Sequence, residues 1–205
     1  MPSLSKPIVK ICGLTRPQDA TLAAILGADF CGFVFHPDSP RAIGASQGRI
    51  MPTPGAQRVG VFVNHSIAET QAIMEEAALD LAQLHGNQAP EVALALGPER
   101  VIKVFWPERQ PPDELAQQMD LWKGLAVYFL FDSGKEGGGS GRPINATWPV
   151  SPKPYLLAGG LDPDSARAAW LSADPMLAGF DFNSALEEGP GIKDPDLLRA
   201  VLPWR

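Results

Sequence analysis

A thiol and a carboxylate, far apart in this chain, each stand where an apolar run ends. Ile8-Val9-Lys10-Ile11 leads into Cys12-Gly13-Leu14-Thr15, and Val127-Tyr128-Phe129-Leu130-Phe131 leads into Asp132. In an α/β barrel the carboxyl ends of strands are where chemistry is done. A thiol and a carboxylate placed there would face one ligand as a base and an acid. Each has an ordinary alternative. A free cysteine is more often a small buried hydrophobe, and an aspartate after a strand is often a turn residue. Cys31, inside an apolar strand, is read as core outright.

Other strand ends carry polar groups too. They include Gly13 and Thr15, then His36, Asp38 and Arg41, then Asn64, His85 and Lys103. Later come Gly159, Gly160, Asp181, Asn183 and Ser184. Arg41 follows Ser39-Pro40 in a stiff loop, where a guanidinium can fork onto a carboxylate. Gly159-Gly160 opens a loop just before a helix, where backbone N–H groups can approach an anion. The loops after strands seven and eight frequently build the phosphate site of a barrel. Tight-turn chemistry is the competing account of the two glycines. Gly134 to Gly141 is glycine-rich, suited to a lid over a ligand or to a passive loop. His36, His65 and the cysteines lack metal-ligand spacing, so no metal site is expected.

These residues must be positioned by something, and the chain alternates strand and helix. Strands are expected near Ile8–Cys12, Phe30–Phe35, Val59–Val63, Leu79–Leu84, Val101–Phe105, Val127–Phe131, Pro154–Ala158 and Ala178–Phe182. Most are continuously apolar, as in a parallel sheet covered by helices. Helices are expected over Pro17–Leu26, Ala45–Met51, Ile67–Ala78, Ala89–Leu96, Pro112–Met119, Pro163–Leu171 and Asp194 or Pro195 to Val201. Gly27 stops the first, Asn64 or Ser66 caps the third, and Asp162 caps the one begun by Pro163. Ser133 to Val150 shows no convincing helix. Eight βα units in a chain of 205 residues predict a single (β/α)8 barrel domain over 1–205, irregular after strand six. A doubly wound open sheet is the second choice.

Composition narrows the function classes. The net charge of −6 leaves no broad basic surface, which argues against nucleic-acid binding. No segment approaches a membrane span, and the N-terminus lacks the apolar core of a signal peptide. Two cysteines make no disulfide framework, and reduced thiols in a cytoplasmic protein are the simpler reading.

Taken in order, these motifs resemble the phosphoribosylanthranilate isomerase family of tryptophan biosynthesis. The likeness rests on Lys10-Ile11-Cys12-Gly13-Leu14-Thr15, Gly32-Phe33-Val34-Phe35, Ser39-Pro40-Arg41 and Val59 to Asn64. It continues through Gln83-Leu84-His85-Gly86, Phe131-Asp132, Gly138-Gly139-Ser140-Gly141, Ala158-Gly159-Gly160-Leu161 and Gly189 to Asp194. The resemblance implies an Amadori rearrangement of a phosphorylated small molecule without a cofactor. It makes Asp132 the general acid and Cys12 the general base. It sets Arg41 on the anthranilate carboxylate, Gly159, Gly160 and Ser184 at the phosphate, and His85 along the aromatic end. Monomer and homodimer both fit.

One departure stands out. After strand eight the family has a Ser-Ser-Gly-Val-Glu-like run, and here Asn183-Ser184-Ala185-Leu186-Glu187 puts alanine where glycine is usual. That questions the second phosphate loop. Two other functions remain in view: another phosphosugar isomerase on the same barrel, and a non-catalytic phosphate-ligand-binding barrel. The related aminosugar isomerization of histidine synthesis ordinarily uses a carboxylate base, which Cys12 does not match.

Overall fold

Eight parallel strands close into a barrel, in the computed structural model, which describes residues 6–133, 148–171 and 174–202. The chain begins with β1 (Ile8–Ile11), α1 (Pro17–Leu26), β2 (Phe30–Val34) and the short α2 (Ala45–Arg49). It continues through β3 (Gln57–Phe62), α3 (Ile67–Glu76), β4 (Leu81–Leu84) and α4 (Pro90–Leu96). Then come β5 (Val101–Phe105), α5 (Pro112–Trp122), β6 (Tyr128–Asp132) and β7 (Tyr155–Ala158). Last are α6 (Pro163–Leu171), β8 (Leu177–Phe182), the small hairpin β9 (Glu187–Gly189) with β10 (Ile192–Lys193), and α7 (Pro195–Val201). Strand order is sequential, and β1 pairs with β8 to close the ring, Lys10 opposite Asp181.

Alternate residues of each strand face the barrel axis and the others face the helices. Phe30, Val59, Leu81, Ile102, Val104, Leu130 and Leu156 pack together in the interior. Val9, Ile11, Phe33, Phe62, Phe105, Phe129 and Phe180 pack in the larger outer cluster with the helices. Both strand faces are therefore buried, which is why the strands read as apolar runs rather than alternating ones. Inward parity continues past the core: it carries Lys10 and Cys12, Gln83 and His85, Asp132, and Asp181 toward one end of the axis.

Several boundaries move. Strand four starts at Leu81 rather than Leu79, because Ala78, just past the end of α3, turns the chain at φ 50 and Leu79 N–H bonds back to Met74. Helix α5 extends to Trp122, whose buried ring lies 4.8 Å from the Lys103 ammonium. Asp132 is the last residue of β6, held by pairing with Ala158, rather than the first beyond it. Ser66, not Asn64, caps α3: its Oγ accepts from Glu69 N–H, and its own N–H donates to Glu69. The Gly134 to Gly141 segment and most of the irregular stretch up to Trp148 lie outside the described residues. Among the described residues no helix is long and apolar enough to cross a membrane.

Candidate active site

Cys12 and Asp132 line one cavity of roughly 500 Å³ at the carboxyl ends of the strands. That volume suits a small-molecule ligand. The same wall holds Arg41, His85, Gly159, Gly160 and Ser184, so the residues to which the family resemblance gives a role lie together. Asp38, His36, Asp181 and Asn183 join them. Lys103 and Asn64 do not. They line a neighbouring cavity, which shares His36, Val63 and His85 with the first. Lys103 has outward parity on β5; its ammonium donates to Gly86 O at 2.7 Å and lies over the Trp122 ring. Burial pushes its pKa down to about 8. Thr15 also faces elsewhere, donating to Gly191 O at 2.5 Å.

Around the thiol the field is set by a buried ion pair. Lys10, fully buried, donates to Asp181 Oδ2 at 2.8 Å. Burial works against the Lys10 charge, but Asp181 and the Cys12 sulfur outweigh it and hold the ammonium above its ordinary pKa. Burial pushes the Cys12 thiol up, and the nearby Lys10 charge is the chief force drawing it back toward thiolate. Room for this arrangement comes from Gly32 on the adjoining strand. A Cβ there would lie 2.9 Å from Cys12 Sγ and 3.1 Å from Lys10 Cε.

At the ends of β4 and β6, Asp132 Oδ2 faces His85 Nε2 at 3.6 Å. Burial pushes the His85 pKa down to about 3, with Lys10, Lys103, Arg109 and His36 adding to the shift, so the ring is neutral. Its Nδ1 lies 3.1 Å from Gln83 Nε2. Trp106 meets the ring edge-on.

Arg41 is already engaged. Its Nε and Nη2 fork onto the Glu187 carboxylate at 2.6 to 3.1 Å. Glu187 also accepts from the fully buried Lys193 at 2.7 Å. Burial opposes the charge on Glu187, but Arg41 and Lys193 hold its carboxyl below the ordinary value. The guanidinium thus reaches the cavity as part of an Arg41–Glu187–Lys193 chain rather than as an isolated cation.

Of the two loop glycines, Gly159 has a second task. Its φ is +90, and an added Cβ would run into Ser133 and come within 2.8 Å of Asp132 Oδ1. Gly159 therefore makes room for Asp132 as well as offering backbone to a ligand. Ala185 sits in a 3-10 turn, Ser184–Leu186, and is not among the residues of positive φ, so its backbone conformation does not call for glycine.

The sequence reading gave no role to Lys10, Gln83, Glu187 or Lys193, and named Asp181 only as a rim residue. Lys10 and Gln83 carried a usable signal: each is a polar residue two positions before a candidate, on the same strand face. Among the described residues no group of three or more His, Cys, Asp or Glu is placed to hold a metal ion.

Fold and cavity together define a (β/α)8-barrel enzyme with its ligand site at the carboxyl ends of the strands. Residues 9–203 match the family model of N-(5'-phosphoribosyl)anthranilate (PRA) isomerase. The chain is 44% identical over 201 residues to the N-(5'-phosphoribosyl)anthranilate isomerase of Maridesulfovibrio salexigens, covering 95% of this chain and 96% of that one. It also resembles the crystal structure of the Thermus thermophilus phosphoribosyl anthranilate isomerase. The TM-score is 0.78 at 37% identity, over 94% of this chain and 95% of that one. A further phosphoribosyl anthranilate isomerase, solved in complex with reduced 1-(o-carboxyphenylamino)-1-deoxyribulose 5-phosphate, aligns with TM-score 0.75 at 26% identity, covering 95% of each chain. This chain belongs to the phosphoribosylanthranilate isomerase family and is an isomerase.

Proposed function

We propose that the cavity converts N-(5-phosphoribosyl)anthranilate to 1-(2-carboxyphenylamino)-1-deoxyribulose 5-phosphate, with Asp132 as general acid and Cys12 as general base. The supporting observation is that thiol and carboxylate, at the ends of strands three places apart around the barrel, line the same roughly 500 Å³ cavity. Asp132 gives a proton to the furanose oxygen; the C1–O bond breaks, and the anthranilate nitrogen becomes an iminium. The Cys12 thiolate removes the C2 proton, and the C2–H electrons flow toward that nitrogen. The resulting enolamine gains a proton at C1 and loses one from the C2 hydroxyl, leaving the ketone. The iminium is the electron sink, so the substrate supplies what a cofactor would.

Gly159, Gly160 and Ser184 meet the phosphate in this reading, His85 flanks the sugar toward the aromatic end, and Arg41 receives the anthranilate carboxylate. The whole chain, 1–205, works as one domain, in the cytoplasm, as a monomer or homodimer, on a small phosphorylated substrate of tryptophan biosynthesis and not on nucleic acid. A deuterium at C2 of the substrate tests the base step. Turnover by the unaltered protein shows a primary isotope effect when proton removal limits the rate. Transfer of that deuterium to solvent must be lost in Cys12→Ala; its persistence would exclude the thiol.

A further inference from the structure

We propose that Gln83 is a positioning residue: its amide nitrogen holds His85 in the tautomer whose Nε2–H faces Asp132, while its amide oxygen receives a hydroxyl of the bound sugar. Gln83 and His85 are two residues apart on the inward face of β4, and both line the Cys12–Asp132 cavity. Gln83 is only 2% exposed. A neutral imidazole has one donor and one acceptor. Gln83 Nε2 donates to Nδ1 at 3.1 Å and thereby takes the acceptor. The ring proton then belongs on Nε2, which faces Asp132 Oδ2 at 3.6 Å.

That separation is longer than a formed hydrogen bond, but the N–H dipole still favours the carboxylate that Asp132 becomes on giving up its proton. The other tautomer would aim a lone pair at Asp132 and favour retention of the proton. Lys10 from β1, Lys103 from β5, Arg109 and His36 all oppose a charge on the ring, so it acts as a neutral dipole through the neutral pH range.

Gln83 Oε1 supplies the second observation. Among the described residues it is buried without a hydrogen-bond partner. A buried acceptor left unmatched in a ligand cavity is completed by a donor on the ligand.

The kinetic part of this inference rests on Asp132 as the acid; the tautomer part does not. The test is nitrogen NMR of labelled protein, with the His85 signals among those of three histidines assigned by their loss in His85→Gln. In the unaltered protein Nδ1 must be unprotonated and Nε2 protonated at neutral pH. Gln83→Glu presents an acceptor to Nδ1 and should reverse the tautomer. Gln83→Met should leave a mixture, lower kcat by about 10- to 100-fold, and shift the alkaline limb of the kcat profile. Reduced 1-(o-carboxyphenylamino)-1-deoxyribulose 5-phosphate should bind Gln83→Met about tenfold more weakly. An Nδ1–H tautomer in the unaltered protein, or a Gln83→Met protein with unchanged tautomer and turnover, overturns the proposal. Should Asp132→Asn retain turnover, the acid assignment fails while the tautomer measurement still decides the role of Gln83.

Discussion

Lys10 donates to Asp181 inside the barrel at 2.8 Å, on the strand face that also carries Cys12. The pair fixes an ammonium beside the thiol at a depth where charge is weakly screened. Burial raises the Cys12 pKa and Lys10 opposes it, so a rate carried by the thiolate should rise with pH. Lys10→Met removes the opposing charge. Its acid limb of kcat/KM should move to higher pH, with about tenfold or greater loss at pH 7, while Lys10→Arg retains more of the rate. A limb that stays in place would show that Lys10 does not tune the thiol.

Glu187 links the site to stability. Its carboxyl is held below its ordinary value by Arg41 and Lys193 against the opposing effect of burial. A depressed folded-state pKa stabilises the fold above the unfolded value of about 4.3, and that contribution disappears as pH falls through the folded value. Glu187→Gln should therefore lower unfolding free energy by about 3 kcal/mol at pH 7. Urea titrations repeated at successively lower pH should show the two proteins converging.

Gly159→Ala tests whether the glycine serves Asp132. The added methyl meets Ser133 and Asp132 at a backbone φ of +90 that alanine disfavours. Turnover should fall by about 100-fold, in line with displacement of a catalytic group by an ångström. Gly160→Ala, at φ 62, should instead raise KM for the phosphorylated substrate more than it lowers kcat.

The two thiols should differ in reactivity. Cys31 is buried inside β2, and burial pushes its pKa up to about 12. Cys12 lines the cavity. Iodoacetamide should modify Cys12 first, faster as pH rises, and more slowly when reduced 1-(o-carboxyphenylamino)-1-deoxyribulose 5-phosphate is bound. Peptide mass analysis reads the site of labelling. Preferential modification of Cys31 would contradict the geometry.

The barrel was legible because a parallel strand covered on both faces must be apolar throughout, and Val101–Phe105 and Pro163–Leu171 fall where the pattern puts them. Turn geometry was less legible: nothing in Leu79-Asp80 announces the positive-φ residue Ala78 that delays β4. At the site, the ends of strands exposed Cys12 and Asp132. The Arg41–Glu187 fork escaped because its partners are 146 residues apart and only barrel closure joins them. The parity of Lys10 with Cys12 was readable, but its pairing with Asp181 was not, since hydropathy does not say which residue meets it across the β1–β8 seam.

The acid–base assignment is tested most directly by measuring kcat and analogue affinity side by side in Cys12→Ala and Asp132→Asn. Loss of at least about 100-fold in kcat in each, with dissociation constants for reduced 1-(o-carboxyphenylamino)-1-deoxyribulose 5-phosphate within about threefold of the unaltered protein, is the expected result. Turnover near normal in either variant, or binding lost in parallel with turnover, contradicts it.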